Sequence, residues 1–199
     1  MKRVLFIVAF IFSVGMGSAQ AQNWLNMLKS VATSAIDKVT GGEFTAKSII
    51  GTWNYTQPGV KLSSKDALSD LAGTAATSTL QSKMASYYEF VGIKPGACSF
   101  VIKEDGTFSS TFGKNTLSGK YTFDAKSNLL LLTYDGLLAG LGAIPAYAYM
   151  NGANLQIVFP IDKLMSVLTT LGSNVNTLST ITELIKKYDS VKIGFEFSK

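Results

Sequence analysis

The sequence predicts a mainly β fold with added helices: an up-and-down antiparallel β-barrel of about eight strands, with helical insertions after the first strand and before the last. Three observations predict it. From Cys98 onward, apolar residues recur at every second position in short runs divided by turn residues. Two stretches of helical period, one after the first strand and one before the last, interrupt the alternation. The chain also ends on an alternating run, Val191 to Phe197, and pairing it with the first strand would leave no open sheet edge.

The chain opens "MKRVLFIVAFIFSVGMGSAQAQ". Lys2 and Arg3 precede an apolar run from Val4 to Val14, and Ala19-Gln20-Ala21 has the small-x-small form of a cleavage site. Residues 1–21 therefore read as a signal peptide, and the mature protein as exported, periplasmic or extracellular. The alternative, a membrane anchor, wants ~20 apolar residues, and Gly15 and Gly17 break this run. No later segment approaches a membrane span. Cys98 is the only cysteine, which excludes an internal disulfide and a lipid-modified N-terminal cysteine. It reads as a small buried hydrophobe, with a reactive thiol or an intermolecular bridge as alternatives. The net charge of +5 includes Lys2 and Arg3, and the remaining lysines are scattered without a basic stripe, so composition argues against nucleic acid.

Residues 22–46 read as an amphipathic helix and linker. Trp24, Leu28, Val31, Ala35 and Val39 recur at helical spacing before Gly41-Gly42 stops them. Residues 47–199 form the barrel domain. Its first strand runs from Ser48 to Gln57, ended by Pro58-Gly59. Ser64 to Val91 is helical, as one helix or as two divided near Gly73. A hairpin with an Asp105-Gly106 turn follows, placing Phe108, Ser110 and Phe112 on one face. Leu117, Gly119, Tyr121 and Phe123 share a face of the next strand. "NLLLLTYD" is apolar on both faces, as a strand covered on both sides would be. Ala143 to Asn151 and Asn154 to Pro160 are two further strands, and short helices are predicted near 161–171 and 178–188.

The first strand contains "GTW", Gly51 to Trp53, which resembles the lipocalin Gly-x-Trp signature. "EDGTF", "LSGKYTFD" and the closing "DSVKIGFEF" are similar to segments of a family of secreted lipocalin-like domains of unknown function from Bacteroidetes-type bacteria. The resemblance covers about 48–199. It implies that Trp53 turns inward to plug one end of a calycin-like barrel and that Gly51 allows close backbone approach, both as structural residues. A second lipocalin hallmark, an arginine packed over the tryptophan, is missing, because the mature chain has no arginine. Lys192 on the last strand is a candidate to cover the indole instead, though its spacing does not assign it.

Chemistry is sparse. The chain has no histidine, which removes histidine-based nucleophilic triads and histidine-ligated metals. It carries no G-x-S-x-G, P-loop or G-x-G-x-x-G motif. Glu104 and Asp105 share a turn, and Glu196 lies on the face opposite Phe195 and Phe197, so no carboxylate pair suggests a glycosidase. The reading is a non-enzyme without catalytic residues, metal or cofactor. The remaining signal is aromatic. Phe108, Phe112, Tyr121 and Tyr147 are the candidate cavity residues, with Ala146 and Ala148 as the alternative inward face of the last of these strands. Such a barrel either holds a small apolar ligand, with "GLLAGLGA" as a mobile rim, or is filled by its own rings and acts as a structural or protein-interaction module.

Overall fold

The computed structural model describes residues 43–63, 69–171 and 190–199. The expected signal peptide, the 23–39 helix and the 178–188 helix lie outside the described residues. A short helix, α1 (Glu43–Ser48), leads into β1 (Gly51–Ser63), and helix α2 (Ser69–Phe90) follows. Six strands then form a meander: β2 (Cys98–Ile102), β3 (Thr107–Phe112), β4 (Asn115–Asp124), β5 (Leu129–Tyr134), β6 (Ala143–Asn151) and β7 (Asn154–Pro160). A 3-10 helix, Gly136–Leu141, joins β5 to β6; helix α3 (Ile161–Thr170) follows β7; and β8 (Ser190–Ser198) ends the chain. All neighbours are antiparallel, and β8 returns to β1, so the sheet is a closed barrel.

Alternation decides which side chains enter the barrel. Cys98, Phe100 and Ile102 on β2, and Phe108, Ser110 and Phe112 on β3, are buried, while the residues between them are half-exposed. On β5 the inward set is Leu130, Leu132 and Tyr134. Leu129 and Leu131 are half-buried on the other face, opposite Tyr147 and Pro145 of β6.

β1 corrects one expectation. Pro58-Gly59 does not end it: the strand continues to Ser63. The reason is a bulge between Tyr55 and Gln57. Trp53 and Tyr55 face inward, and the extra residue, Thr56, reverses the parity so that Pro58, Val60 and Leu62 pair with the inward Phe195, Ile193 and Val191. Beyond Asn54, β1 pairs with β8 alone, so its other edge is free of strand partners, a setting in which proline is tolerated. Gln81 Nε2 on α2 donates to the Pro58 carbonyl there at 3.1 Å. Helix α2 runs unbroken past Gly73, where the sequence allowed a division into two. It buries Leu80, Met84, Tyr87 and Tyr88, a helical stripe against the barrel.

The register gives the barrel two distinct ends. The starts of β1 and β7, the β2–β3 turn and the end of β8 lie at one end. The 3-10 helix, α3 and the β3–β4 turn lie at the other.

Candidate functional site

The first end is plugged. Trp53 is 1 % exposed, and its indole Nε1 donates to the Ile49 carbonyl at 2.7 Å. The Lys199 ammonium lies over the indole, 4.8 Å from the ring centroid. A Cβ at Gly51 would stand 3.3 Å from Lys199 Cε, and Gly51 has φ +136°, a backbone setting that favours glycine. The Gly-x-Trp spacing thus leaves room for a lysine across the tryptophan. That lysine is Lys199, not Lys192. Lys192 points outward and sits 4.5 Å from the ring of Tyr147.

Moving inward, Phe100 stacks on Phe108 with centroids 5.3 Å apart, and Phe108 meets Tyr134 edge to face at 4.8 Å. Gly119 lies in register between the last two, on β4. A Cβ there would collide with the Thr133 carbonyl oxygen, so only glycine lets the strands approach so closely. At the helix-capped end the rings gather round Phe195. Tyr88 stacks on it at 5.1 Å, Phe112 lies at 5.0 Å, and Tyr55 and Phe159 approach at 6.0 and 6.3 Å. Tyr88 donates its hydroxyl proton to the Gly194 carbonyl at 3.1 Å.

Between these rings and α3 lies a void of about 10 Å³, lined by Phe112, Tyr134, Phe159 and Phe195 from the strands and by Leu164, Val167, Leu168 and Leu171. That is room for no more than one water, whereas pockets for small molecules measure about 300–1,000 Å³. Burial raises the pKa of Tyr55, Tyr88 and Tyr134 well above the ordinary tyrosine range. These hydroxyls stay neutral and can only donate or accept hydrogen bonds.

The four residues singled out by sequence do not share one site. Phe112 lines the void. Phe108 lies deeper, 2 % exposed and stacked on Phe100. Tyr121 is on the inward side of β4 but at the plugged end, where its hydroxyl donates to the Lys103 carbonyl at 2.7 Å. Tyr147 faces outward, a correction. Its register neighbours explain it: Ile144 and Ala146 of β6 pair with the inward Leu132 and Leu130, so Ala146 and Ala148 take the interior, both 0 % exposed. "GLLAGLGA" lies at the end away from Trp53. Six of its residues form the 3-10 helix, and Leu138 anchors it with no exposed surface. Tyr134, Phe159, Phe195 and Ser110 complete the interior at this end. Ser110 was visible from its spacing, but Tyr134 was not, since both faces of its strand are apolar.

Among the described residues, the outer face holds one buried carboxylate. Glu196, 5 % exposed, accepts from Gln57 Nε2 and Asn154 Nδ2 at 3.1 Å each and from Gln156 Nε2 at 3.4 Å. Three amides from two flanking strands satisfy it, so it ties β1, β8 and β7 together. Among the described residues, no group of three or more His, Cys, Asp or Glu could hold a metal ion, and no helix is long and apolar enough to cross a membrane.

A search of curated proteins finds no match. Among solved structures, the chain is similar to a DUF4847 family protein from Bacteroides vulgatus ATCC 8482, with 12 % identity and a TM-score of 0.38 over 77 % of this chain and 96 % of that one. So distant a likeness carries no argument here. The family model for the lipocalin-like domain DUF4923 matches residues 25–199. The closed eight-strand barrel and the match over nearly all of the chain agree: this protein belongs to the lipocalin-like DUF4923 family.

Proposed function

We propose that this protein is an exported lipocalin-like binding protein that takes a small apolar ligand at the helix-capped end of its barrel. It acts by binding, without catalysis, metal or cofactor. The observation that carries the reading is the seam between α3 and the ring cluster. There Leu164, Val167, Leu168 and Leu171, from α3 and its C-terminal end, face Phe112, Tyr134, Phe159 and Phe195 across the void. Outward displacement of α3 turns a water-sized void into a ligand site. Residues 1–21 act as the signal peptide, residues 22–46 as a leading helix and linker, and residues 47–199 as the barrel domain in the periplasm or outside the cell. The Ala19-Gln20-Ala21 motif supports cleavage before Gln22.

A second reading keeps a specific observation in its favour. Close ring contacts fill the half of the barrel nearer Trp53, and only about 10 Å³ stays open under α3. A barrel that is filled throughout would work through its surface as a protein-interaction module. Native mass spectrometry of protein purified from its own host separates the two, together with titration by the neutral apolar dye Nile red. The binding reading expects a co-purifying apolar molecule, dye binding, weaker dye binding in Phe112→Ala and unchanged binding in Tyr121→Ala. A clean apo mass with no dye binding establishes the filled barrel.

A further inference from the structure

Ser110 is the unexplained polar group of the interior. It lies on β3 between the inward Phe108 and Phe112, is 1 % exposed, and its Oγ has no hydrogen-bond partner of good geometry. A buried hydroxyl left unpaired keeps its desolvation cost unrepaid, so native proteins rarely keep one without a use. Tyr134, which lines the void under α3, stands in register with Gly119 and Phe108 on the inward face, and Ser110 is the next inward residue along β3 from Phe108. Ser110 also offsets part of the upward push of burial on the Tyr134 hydroxyl, in keeping with that neighbourhood. Tyr134 thus supplies the one hydroxyl among the described residues of an otherwise apolar lining, and Ser110, outside that lining, carries the unused bonding capacity.

Charge narrows what those hydroxyls meet. Ser110 and Glu196 are the buried polar or charged residues among those described, and Glu196 belongs to the outer face. The lysines placed against aromatic rings lie elsewhere: Lys61 and Lys192 over Tyr149 and Tyr147, and Lys199 over Trp53 at the plugged end. Among the described residues, no cation lines the void. A carboxylate or phosphate head moved into such a place would lose its hydration with nothing to replace it. A hydroxyl or carbonyl head suffers no such loss, and a serine hydroxyl can donate to either or accept from the first.

Resting on the binding reading above, we infer that Ser110 and Tyr134 are the polar contact of the ligand site, and that the ligand is an apolar molecule bearing one neutral hydroxyl or carbonyl rather than an acid. Ser110 supplies the unused donor and acceptor, and Tyr134 positions the head group at the edge of the void. The apolar remainder lies against Phe112, Phe159 and Phe195 where α3 gives way.

The test displaces Nile red from the purified protein with octanol, octanoate and octane at neutral pH, in wild type, Ser110→Ala and Tyr134→Phe. Octanol should compete better than octanoate by tenfold or more. Each variant should weaken octanol about five- to tenfold, the worth of one hydrogen bond, and leave octane unchanged. The two variants are independent, so failure of one to fold leaves the other to decide. Octanoate binding as tightly as octanol overturns the inference, as does an octanol-to-octane ratio that stays within twofold of wild type in both variants. In either case the binding reading survives. If none of the dye and the three competitors binds, the binding reading fails and takes this inference with it.

Discussion

Lys199 covers Trp53 as the missing arginine would have done. Its ammonium stands over the indole, its stem crosses Gly51, and the indole Nε1 is tied to the Ile49 carbonyl. The contact is at the barrel's rim, so it is worth about 0.5–1 kcal/mol. Lys199→Ala should lower unfolding stability by that amount in urea, Lys199→Arg should keep it, and Lys192→Ala should spare the indole environment. Trp53→Ala should cost about 3–5 kcal/mol, the range for emptying a buried tryptophan site. An unchanged denaturation midpoint in Trp53→Ala would show that the plug is not where we place it. The role of Trp53 was legible from three letters of sequence. Its cationic partner was not, because which lysine reaches the ring depends on where β8 ends relative to β1, and spacing along the chain does not encode that register.

The elements were legible wherever period and turn chemistry agreed. β2, β3 and β4 follow from alternation and from the Asp105-Gly106 turn, where Asp105 Oδ1 accepts from the Thr107 N–H at 2.9 Å. β1 was misjudged at its far end because Pro58-Gly59 carries a strong local turn signal that a bulge and a strand-free edge override. β6 was misjudged in its facing because "AYAY" alternates equally well either way, and only pairing with Leu130 and Leu132 puts the alanines inside. Tight strand approach at Gly119 gives the sharpest prediction at this scale. Gly119→Ala forces a methyl group into the Thr133 carbonyl and should cost about 1–3 kcal/mol by overpacking, read as a lower thermal midpoint. A neutral result would mean that β4 and β5 are further apart than described. Gly106→Ala in the exposed turn, with φ +81°, is a control for backbone strain without the collision.

Across the whole molecule the two ends do different things. Trp53, Lys199 and Tyr121 close one, while α2 and α3 cover the other over a cluster of rings centred on Phe195. Phe108 and Phe112 were legible as interior residues by their alternation. The company they keep was not, since Phe195, Tyr134 and Tyr88 come from elements far apart in sequence and meet only after closure. That company sets an alkaline limit. Burial pushes the Tyr88 and Tyr134 hydroxyls up in the fold, whereas in the unfolded chain they ionise near pH 10. Above about pH 10 the unfolded state therefore binds fewer protons than the native one, and stability, intact below that pH, falls as pH rises. Tyrosinate absorbance should rise with a late, cooperative step that coincides with loss of circular dichroism; a single early, non-cooperative titration of all the tyrosines would contradict the burial. The central claim, that the helix-capped end takes the ligand while the Trp53 end stays shut, is tested most directly by amide and indole NMR shifts during an octanol titration. Shifts are expected at Leu164, Leu168, Phe112 and Tyr134, with the Trp53 indole signal unmoved. Shifts centred on Trp53 and Tyr121, on the outer Tyr147, or nowhere would contradict it.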